Sequence, residues 1–309
     1  MDAKIQEGAR DMIHRFSVTV NCDLIGKGQA WHEDYGFIML PEQYSEQGTP
    51  TRLVISCHGA GGTVETDDSQ IEHQVLTQYL VANGYAVMDV GGLPISYANE
   101  QGIDIRNNIG SPIATACYIA AYRYCQAHFN LAPEVFLHGG SMGGISSTNL
   151  VLDGSIPVIA HSAFCPVLDT YGEIFLHPWS DGAPRIALGK LYALDTDANG
   201  DYIYDEQRLM GCNPMQNPKA LQYPVPVKFW HCEDDDTVSC EITRAFVARI
   251  CANGGTAHLR TFPHGGHEPQ LVGEPIAAPR GKTTYGGVTL PITPAVEEVF
   301  AWICAHEPV

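Results

Sequence analysis

Short, continuous apolar runs alternate along this chain with longer segments that are apolar on one side only. Phe16 to Asn21 and Gly36 to Leu40 have strand composition, and Pro41 ends the second, which predicts an antiparallel opening to a sheet. Arg52 to Cys57, Tyr85 to Val90, Glu134 to Leu137, Ile156 to Ala160, Val225 to His231 and Ala257 to Phe262 are strands of the kind buried on both faces. Between them, Gln70 to Ala82 (stopped by Gly84), Pro112 to Phe129, Ile145 to Leu152 and Glu241 to Ala252 carry helical periodicity. A closing helix is expected from Pro294 to His306, after a loop-and-hairpin stretch from Glu268 to Pro291, and Gly91 to Gly110 reads as a long loop. Strands that alternate with helices predict βαβ units and an α/β fold with a mostly parallel sheet. The rhythm breaks after Cys165-Pro166. Residues 167–223, richer in Asp, Gly, Pro and aromatics, read as an insertion that caps the site within a single domain spanning residues 1–309.

Composition narrows the partners more than the fold. Seventeen basic residues against 35 acidic ones give a formal charge of -18, which repels nucleic acid and anionic membrane surfaces. No apolar run approaches the roughly 18 residues of a membrane span. The polar start, Met1 to Glu7, has no signal core, so a cytoplasmic location is expected unless a leader has been removed. Ten cysteines include no C-x-x-C pair, and Cys57, Cys117, Cys125, Cys165 and Cys304 read as small buried hydrophobes of a reducing compartment. Cys232 and Cys240 flank an acidic loop, but no His/Cys cluster has zinc spacing, so neither pairing nor metal binding is expected there. Oligomeric state is left open.

The chemistry centres on Val135 to Gly144, where a strand runs into Gly139-Gly140-Ser141-Met142-Gly143 and then a helical segment. A serine on a sharp strand-to-helix turn has its hydroxyl lifted clear of the sheet, and small residues two before and two after it permit the bend. The helix N-terminus adds partial positive charge where an oxyanion would form. Two further loops leave the carboxyl ends of strands, His231 to Val238 and Pro263 to Pro269, where open α/β sheets build their sites. The first carries Asp234, Asp235 and Asp236, the second His264 and His267. Serine, then acid, then histidine is the order a histidine-activated nucleophile takes on such a sheet.

Together, H-G-x-G-G (His58–Gly62), G-x-S-M-G-G (Gly139–Gly144), the histidine-to-valine acid loop (His231–Val238) and G-G-H (Gly265–His267) resemble the α/β-hydrolase fold from Arg52 to the C-terminal helix. Among its branches, the chain is most similar in motif to esterase D-like, feruloyl and acetylxylan esterases and to single-domain relatives of prolyl oligopeptidase. It departs from their pattern at Cys232, where a glycine is usual. The resemblance implies Ser141 as nucleophile, Asp235 as acid and His267 as base, with Asp169 as a fallback acid and Asp234 and Asp236 as a solvated turn. Met142 and a residue of the glycine-rich turn, foremost Ala60, with Gly59 or Gly61 as alternatives, would supply the oxyanion N–H groups, and His58 would orient that turn or merely be buried. It further implies an ester hydrolase working without a catalytic cofactor, on acyl groups that are small or aromatic, such as feruloyl or acetyl esters of plant polysaccharides. A prolyl-oligopeptidase-like peptidase, an acyltransferase and a non-catalytic binding protein are the alternatives. Against the peptidase, the chain has no room for a propeller domain.

Within the insertion, Asp195 to Glu206 fits D-x-[DN]-x-[DN]-G-x5-E, the calcium loop of an EF-hand. Asp195, Asp197 and Asn199 would give side-chain oxygens, Asp201 its carbonyl, and Glu206 a bidentate carboxylate around a lone structural Ca2+ that braces the cap. Ala187 to Leu194 and Glu206 to Met210 would be the flanking helices. Tyr171, Phe175, Trp179 and Tyr192 are candidates to line an acyl or sugar pocket or simply to pack the cap.

Overall fold

The computed structural model describes residues 13–23, 30–62, 64, 71–176 and 182–308. The polar N-terminal segment, Gln70 and Trp179 lie outside them. The elements in chain order are β1 (Ile13–Asn21), β2 (Trp31–Met39), β3 (Thr51–Cys57), α1 (Val75–Ala82), β4 (Ala86–Val90), α2 (Ile95–Gln101), α3 (Pro112–His128) and β5 (Leu131–Gly140). There follow α4 (Met142–Asp153), β6 (Val158–Phe164), α5 (Ala183–Leu191), α6 (Glu206–Leu209), β7 (Val227–Cys232), α7 (Cys240–Ala252), β8 (Ala257–Phe262), the two-residue strands β9 (Thr284–Tyr285) and β10 (Val288–Thr289), and α8 (Pro294–Ala305).

Eight strands form one sheet in the order β1-β2-β4-β3-β5-β6-β7-β8. β1, β2 and β4 pair antiparallel; every later pairing is parallel. Alternate residues of the central strands serve opposite layers, as period-2 geometry requires. Leu53, Ile55, Val135, Leu137 and Phe229 pack with α3, α4 and α7, whereas Val54, Phe136 and Trp230 pack with α1 and α8. Both faces are covered, which is why these strands read as largely apolar runs. The register brings Cys57 beside Gly139, Gly140 beside Phe164, Phe164 beside Trp230, and Cys232 beside Phe262. Five strand ends, and the loops leaving them, therefore meet at one edge of the sheet.

Several boundaries move. The Gly91–Gly110 loop contains α2, and the first helix begins as a 3-10 turn at Ile71–His73 before α1. Strand β6 lies two to four residues later than its composition suggests, at Val158–Phe164. Residues 167–223 hold a π-type turn (Thr170–Phe175), α5, α6 and a 3-10 turn (Pro218–Gln222), and bury Ile174, Leu188, Leu191 and Leu209 in the core layer shared with α3 and α4. All ten cysteines are thiols; Cys57, Cys117, Cys125 and Cys165 are buried as expected, but Cys304 is exposed because it falls on the outer side of α8. No helix among the described residues is long and apolar enough to cross a membrane.

Candidate active site

The elbow is strained at its centre. Ser141 sits at φ 53° and ψ -121°, a region L-residues rarely adopt, and the surroundings hold it there. Its N–H donates to the Phe164 carbonyl at 3.0 Å, and its own carbonyl accepts from Gly144 at 2.8 Å and Val167 at 2.9 Å. The glycine two residues on is required for a different reason. A Cβ on Gly143 would stand 1.9 Å from the Cys57 carbonyl oxygen, so helix α4 can reach the end of β3 only without a side chain there.

The structure brings the three residues singled out by resemblance into one relay. The Ser141 hydroxyl lies 2.8 Å from His267 Nε2, and His267 Nδ1 lies 2.8 Å from Asp235 Oδ2. With the carboxylate facing Nδ1, that nitrogen carries the proton, and Nε2 is left to accept from the serine. The Asp235 side chain is fully buried. Its Oδ1 accepts the N–H of Thr237 at 2.9 Å and of Val238 at 3.0 Å, and its Oδ2 also meets His231 Nε2 at 3.1 Å. Burial alone would raise this carboxyl, but the hydrogen bonds from His231, His267 and Val238 outweigh it and hold Asp235 well below the usual carboxylate range. Asp169, the fallback acid, is elsewhere: it caps the Thr170–Phe175 turn through Tyr171 and accepts from Asn213 Nδ2 at 2.8 Å.

Three supports were not anticipated as such. His231 is buried, with Nε2 between the Asp235 carboxylate and the Val238 carbonyl at 3.0 Å and Nδ1 against Thr243 Oγ1 at 3.0 Å. Two acceptors at Nε2 place its proton there, so it donates to the acid. Asp234, expected as a solvated turn, accepts from Gly266 N–H at 2.9 Å and Gly265 N–H at 3.4 Å, and thus pins the turn that presents His267. That Gly266 contact comes first among the causes that hold the Asp234 carboxyl below its usual value. Asp236, by contrast, meets its neighbour Thr237 at 3.4 Å, and the His264 side chain is exposed, with Nδ1 3.3 Å from Asp234 Oδ2. Cys165 is buried as expected, but beside the relay: its sulfur, an Asp235 oxygen and a His267 nitrogen all lie within 4.8 Å of one another, and its S–H meets the His267 carbonyl at 3.3 Å.

On the other side of the serine, Ala60 is exposed at the glycine-rich turn. Gly61 and Gly62 spend their N–H groups on Arg106 O at 3.4 Å and Gly59 O at 3.2 Å, while that of Ala60 makes no hydrogen bond among the described residues. Met142 opens α4, so its N–H is one of the helix's unpaired donors. Beneath the turn, His58 Nδ1 meets Asp89 Oδ2 at 2.8 Å, and Tyr118 donates to Asp89 Oδ1 at 2.7 Å, all buried. The signal for this anchor was an aspartate inside the otherwise apolar run Tyr85 to Val90.

A cavity of about 790 Å³ opens at Ser141 and His267. Its apolar wall comes from Ile71, Leu76, Phe164, Leu271 and Val296, on the α1 and α8 side of the sheet. None of the described residues of 167–223 lines it. Tyr171, Phe175 and Tyr204 pack on one another instead, with the Arg185 guanidinium over Phe175, and Tyr192 is buried in the core.

Among the described residues, no three of Asp195, Asp197, Asp201 and Glu206 bring ligand atoms within 4.8 Å of one another. Asp197 Oδ1 accepts the N–H of Asn199 at 2.8 Å and of Asp201 at 3.0 Å, and the Asp201 carbonyl accepts the Asp197 N–H at 2.8 Å. Asp195 faces Arg208 Nη2 at 3.8 Å, and the turn closes with a bridge between Thr196 and Tyr202. The expected entering helix runs earlier, as α5, and the exiting one is the single turn α6.

Sheet order, elbow and strand-end loops are those of the α/β-hydrolase fold. Solved structures agree. The Pyrococcus horikoshii acylaminoacyl peptidase is 16% identical over 84% of this chain and 38% of its own, with a TM-score of 0.60. A puromycin hydrolase is 17% identical over 82% of this chain and 36% of its own, with a TM-score of 0.59. Est1E from Butyrivibrio proteoclasticus is 16% identical over 93% of this chain and 99% of its own, with a TM-score of 0.54. The chain thus spans under two fifths of the acylaminoacyl peptidase and of the puromycin hydrolase, and nearly all of Est1E. No protein-family model matches the sequence, and no curated protein does.

Proposed function

We propose that this protein is a serine hydrolase that cleaves neutral carboxylic esters through an acyl-enzyme. The observation that carries the reading is the unbroken relay from Ser141 through His267 to Asp235, opening on a cavity. His267 takes the Ser141 proton as the hydroxyl attacks the ester carbonyl, and Asp235 stabilises the imidazolium that results. The oxyanion forms against the N–H groups of Met142 and Ala60. Collapse releases the alcohol, which takes its proton from His267. Water, activated by the same histidine, then frees the acid.

The choice of ester over peptide is supported by the cavity wall. Among the described residues that line it there is no lysine or arginine, so the carboxylate end of a short peptide finds no cationic partner in them, and Glu268 is the one carboxylate they include. The size of the cavity and the ring of Phe164 favour an aromatic or extended acyl group over acetyl. Feruloyl esters fit that description, and acetyl esters would leave most of the space empty. The turn at Asp195–Glu206 is best read as a self-bonded structural turn and not as a calcium seat, a reading supported by where its side-chain oxygens go. The test is hydrolysis of p-nitrophenyl acetate, p-nitrophenyl butyrate, methyl ferulate and a proline p-nitroanilide by wild type and Ser141→Ala. Ester turnover that vanishes in Ser141→Ala is expected, with butyrate or ferulate preferred to acetate. Turnover of the anilide alone would replace the esterase by a peptidase.

A further inference from the structure

One buried carboxyl has no part in the chemistry above. Glu173 lies in the Thr170–Phe175 turn and is 3% exposed. Its Oε2 accepts two backbone N–H groups, from Leu168 at 2.7 Å and Asp169 at 2.9 Å. Its Oε1 is buried and makes no hydrogen bond among the described residues. The Ser239 N–H, just ahead of α7, faces the same carboxyl, and the charged group that faces it is another acid, Asp169. A buried carboxyl with an acidic neighbour is costly, and a leucine or glutamine would fill the space without that penalty.

Its partners explain where it acts. Leu168 follows Val167, whose N–H holds the Ser141 carbonyl at 2.9 Å. Ser239 follows Val238, whose N–H holds Asp235 and whose carbonyl holds His231. Glu173 therefore stands between the loop that braces the nucleophile and the loop that carries the acid, within a residue of a direct contact to each. We propose that Glu173 is a positioning residue that sets the spacing of these two loops, and that its loss of a proton loosens them and slows the enzyme. This rests on the serine-hydrolase reading for its effect on rate, but not for its effect on the loops.

Burial comes first among the influences on Glu173 and pushes its carboxyl from 4.5 up to about 8, against the opposing N–H groups of Leu168 and Asp169. A carboxyl raised in this way keeps, in the folded protein, a proton that the unfolded chain releases. Stability is therefore greatest below the ordinary value and declines as pH climbs from 4.5 to about 8.

The experiment compares wild type, Glu173→Gln and Glu173→Leu from pH 5 to pH 9, with three readouts. Melting temperature should fall with pH more steeply in wild type than in Glu173→Gln. Amide exchange in 165–169 and 237–239, corrected for its intrinsic pH dependence, should quicken above about pH 8 in wild type only. On p-nitrophenyl butyrate, wild-type kcat should show a falling limb near that pH that Glu173→Gln lacks, with KM unchanged, and Glu173→Leu should lose about tenfold in kcat at every pH. Labelling of Ser141 by a fluorophosphonate in wild type tests the hydrolase reading separately. If wild type labels but Glu173→Gln shows the wild-type pH slopes of melting, exchange and kcat, the inference is overturned. If wild type does not label, the melting and exchange comparisons still decide the role of Glu173 in the loops. A lower melting point in Glu173→Gln with no change in any pH dependence would mean packing alone, and would also overturn it.

Discussion

Gly143→Ala is the sharpest probe of how the elbow is built. The new methyl carbon would lie 1.9 Å from the Cys57 oxygen, 2.6 Å from the Cys57 carbonyl carbon and 2.7 Å from the His58 oxygen. All three atoms are backbone, so no rotamer change relieves the contact. Contacts under 3.0 Å are essentially never held by real Cβ atoms, and α4 and the end of β3 must separate by more than 1 Å. Overpacking of this kind costs about 3 kcal/mol where the surroundings cannot yield. For a domain of this size that corresponds to a fall in melting temperature of roughly 4–6 °C. The displaced residues are the ones that lead into the Ala60 turn, so the oxyanion donors move relative to Ser141, and a shift of about 1 Å costs on the order of 100-fold in kcat. Gly140→Ala is the control: it adds the same methyl one residue before the serine, where nothing lies within 4 Å, and should melt within about 1 °C of wild type. Differential scanning fluorimetry and p-nitrophenyl butyrate kinetics on both variants make the comparison. A Gly143→Ala protein with the wild-type melting point and kcat would refute the claim that this approach of helix to strand sets the site.

Two further predictions concern the loops around it. His231→Phe removes one donor to Asp235 and leaves the Val238 carbonyl unpaired in a buried place, so it should cost about 2 kcal/mol in chemical denaturation and about tenfold in kcat, with KM little changed. An unaffected kcat would show that the two backbone N–H groups on Asp235 suffice. Treatment with a strong calcium chelator should leave both the melting temperature and ester turnover as they were, because Asp197 is committed to the backbone of its own turn. A drop of several degrees, restored by added calcium, would return the 195–206 loop to the role its residue pattern suggests.

The parts of this protein legible from sequence are those in which local pattern and tertiary surroundings agree. The central strands are legible because helices cover both faces of the sheet, which leaves largely apolar runs such as Leu53 to Cys57 and Ala86 to Val90, interrupted only by Ser56 and Asp89. Helix α2 was missed because it is seven residues of mixed polarity between glycines, buries only Ala98, and has no stripe to detect. Ser141 and His267 were legible because each lies in a motif whose glycines have a mechanical purpose. Asp234 is not legible because one acid in a run of four looks like any solvated turn, and it is the approach of Gly265 and Gly266, more than 30 residues away, that separates it from Asp236. Glu173 gives even less away, since its hydrogen bonds are local while its consequence runs through Val167 and Val238 to two other loops. The calcium pattern shows a related limit: residue types specify which oxygens are available, but not that Asp197 spends one of them on its own backbone.

The position of the cavity follows from the same logic and changes where specificity should be sought. Residues 167–223 were expected above the site because they interrupt the βα rhythm just after the elbow. Their buried side chains, however, join the layer of α3 and α4, and Asn149 on α4 ties both Gly110 and Cys212 to that layer. In the opposite layer the cavity is lined by Val75 and Leu76 of α1, by Val296 of α8 and by the segment that follows His267. Thr293 caps α8 and also donates to the Gln270 carbonyl at 2.6 Å, so the turn beside the base is fastened to the helix that bounds the cavity. Leu271 stands on that turn with two thirds of its surface exposed, an apolar side chain at the cavity's edge. In this architecture the histidine loop does two things: it holds the base, and its continuation shapes the space for the acyl group. Changes of substrate preference should therefore map to 269–296 and 71–76 before they map to the insertion.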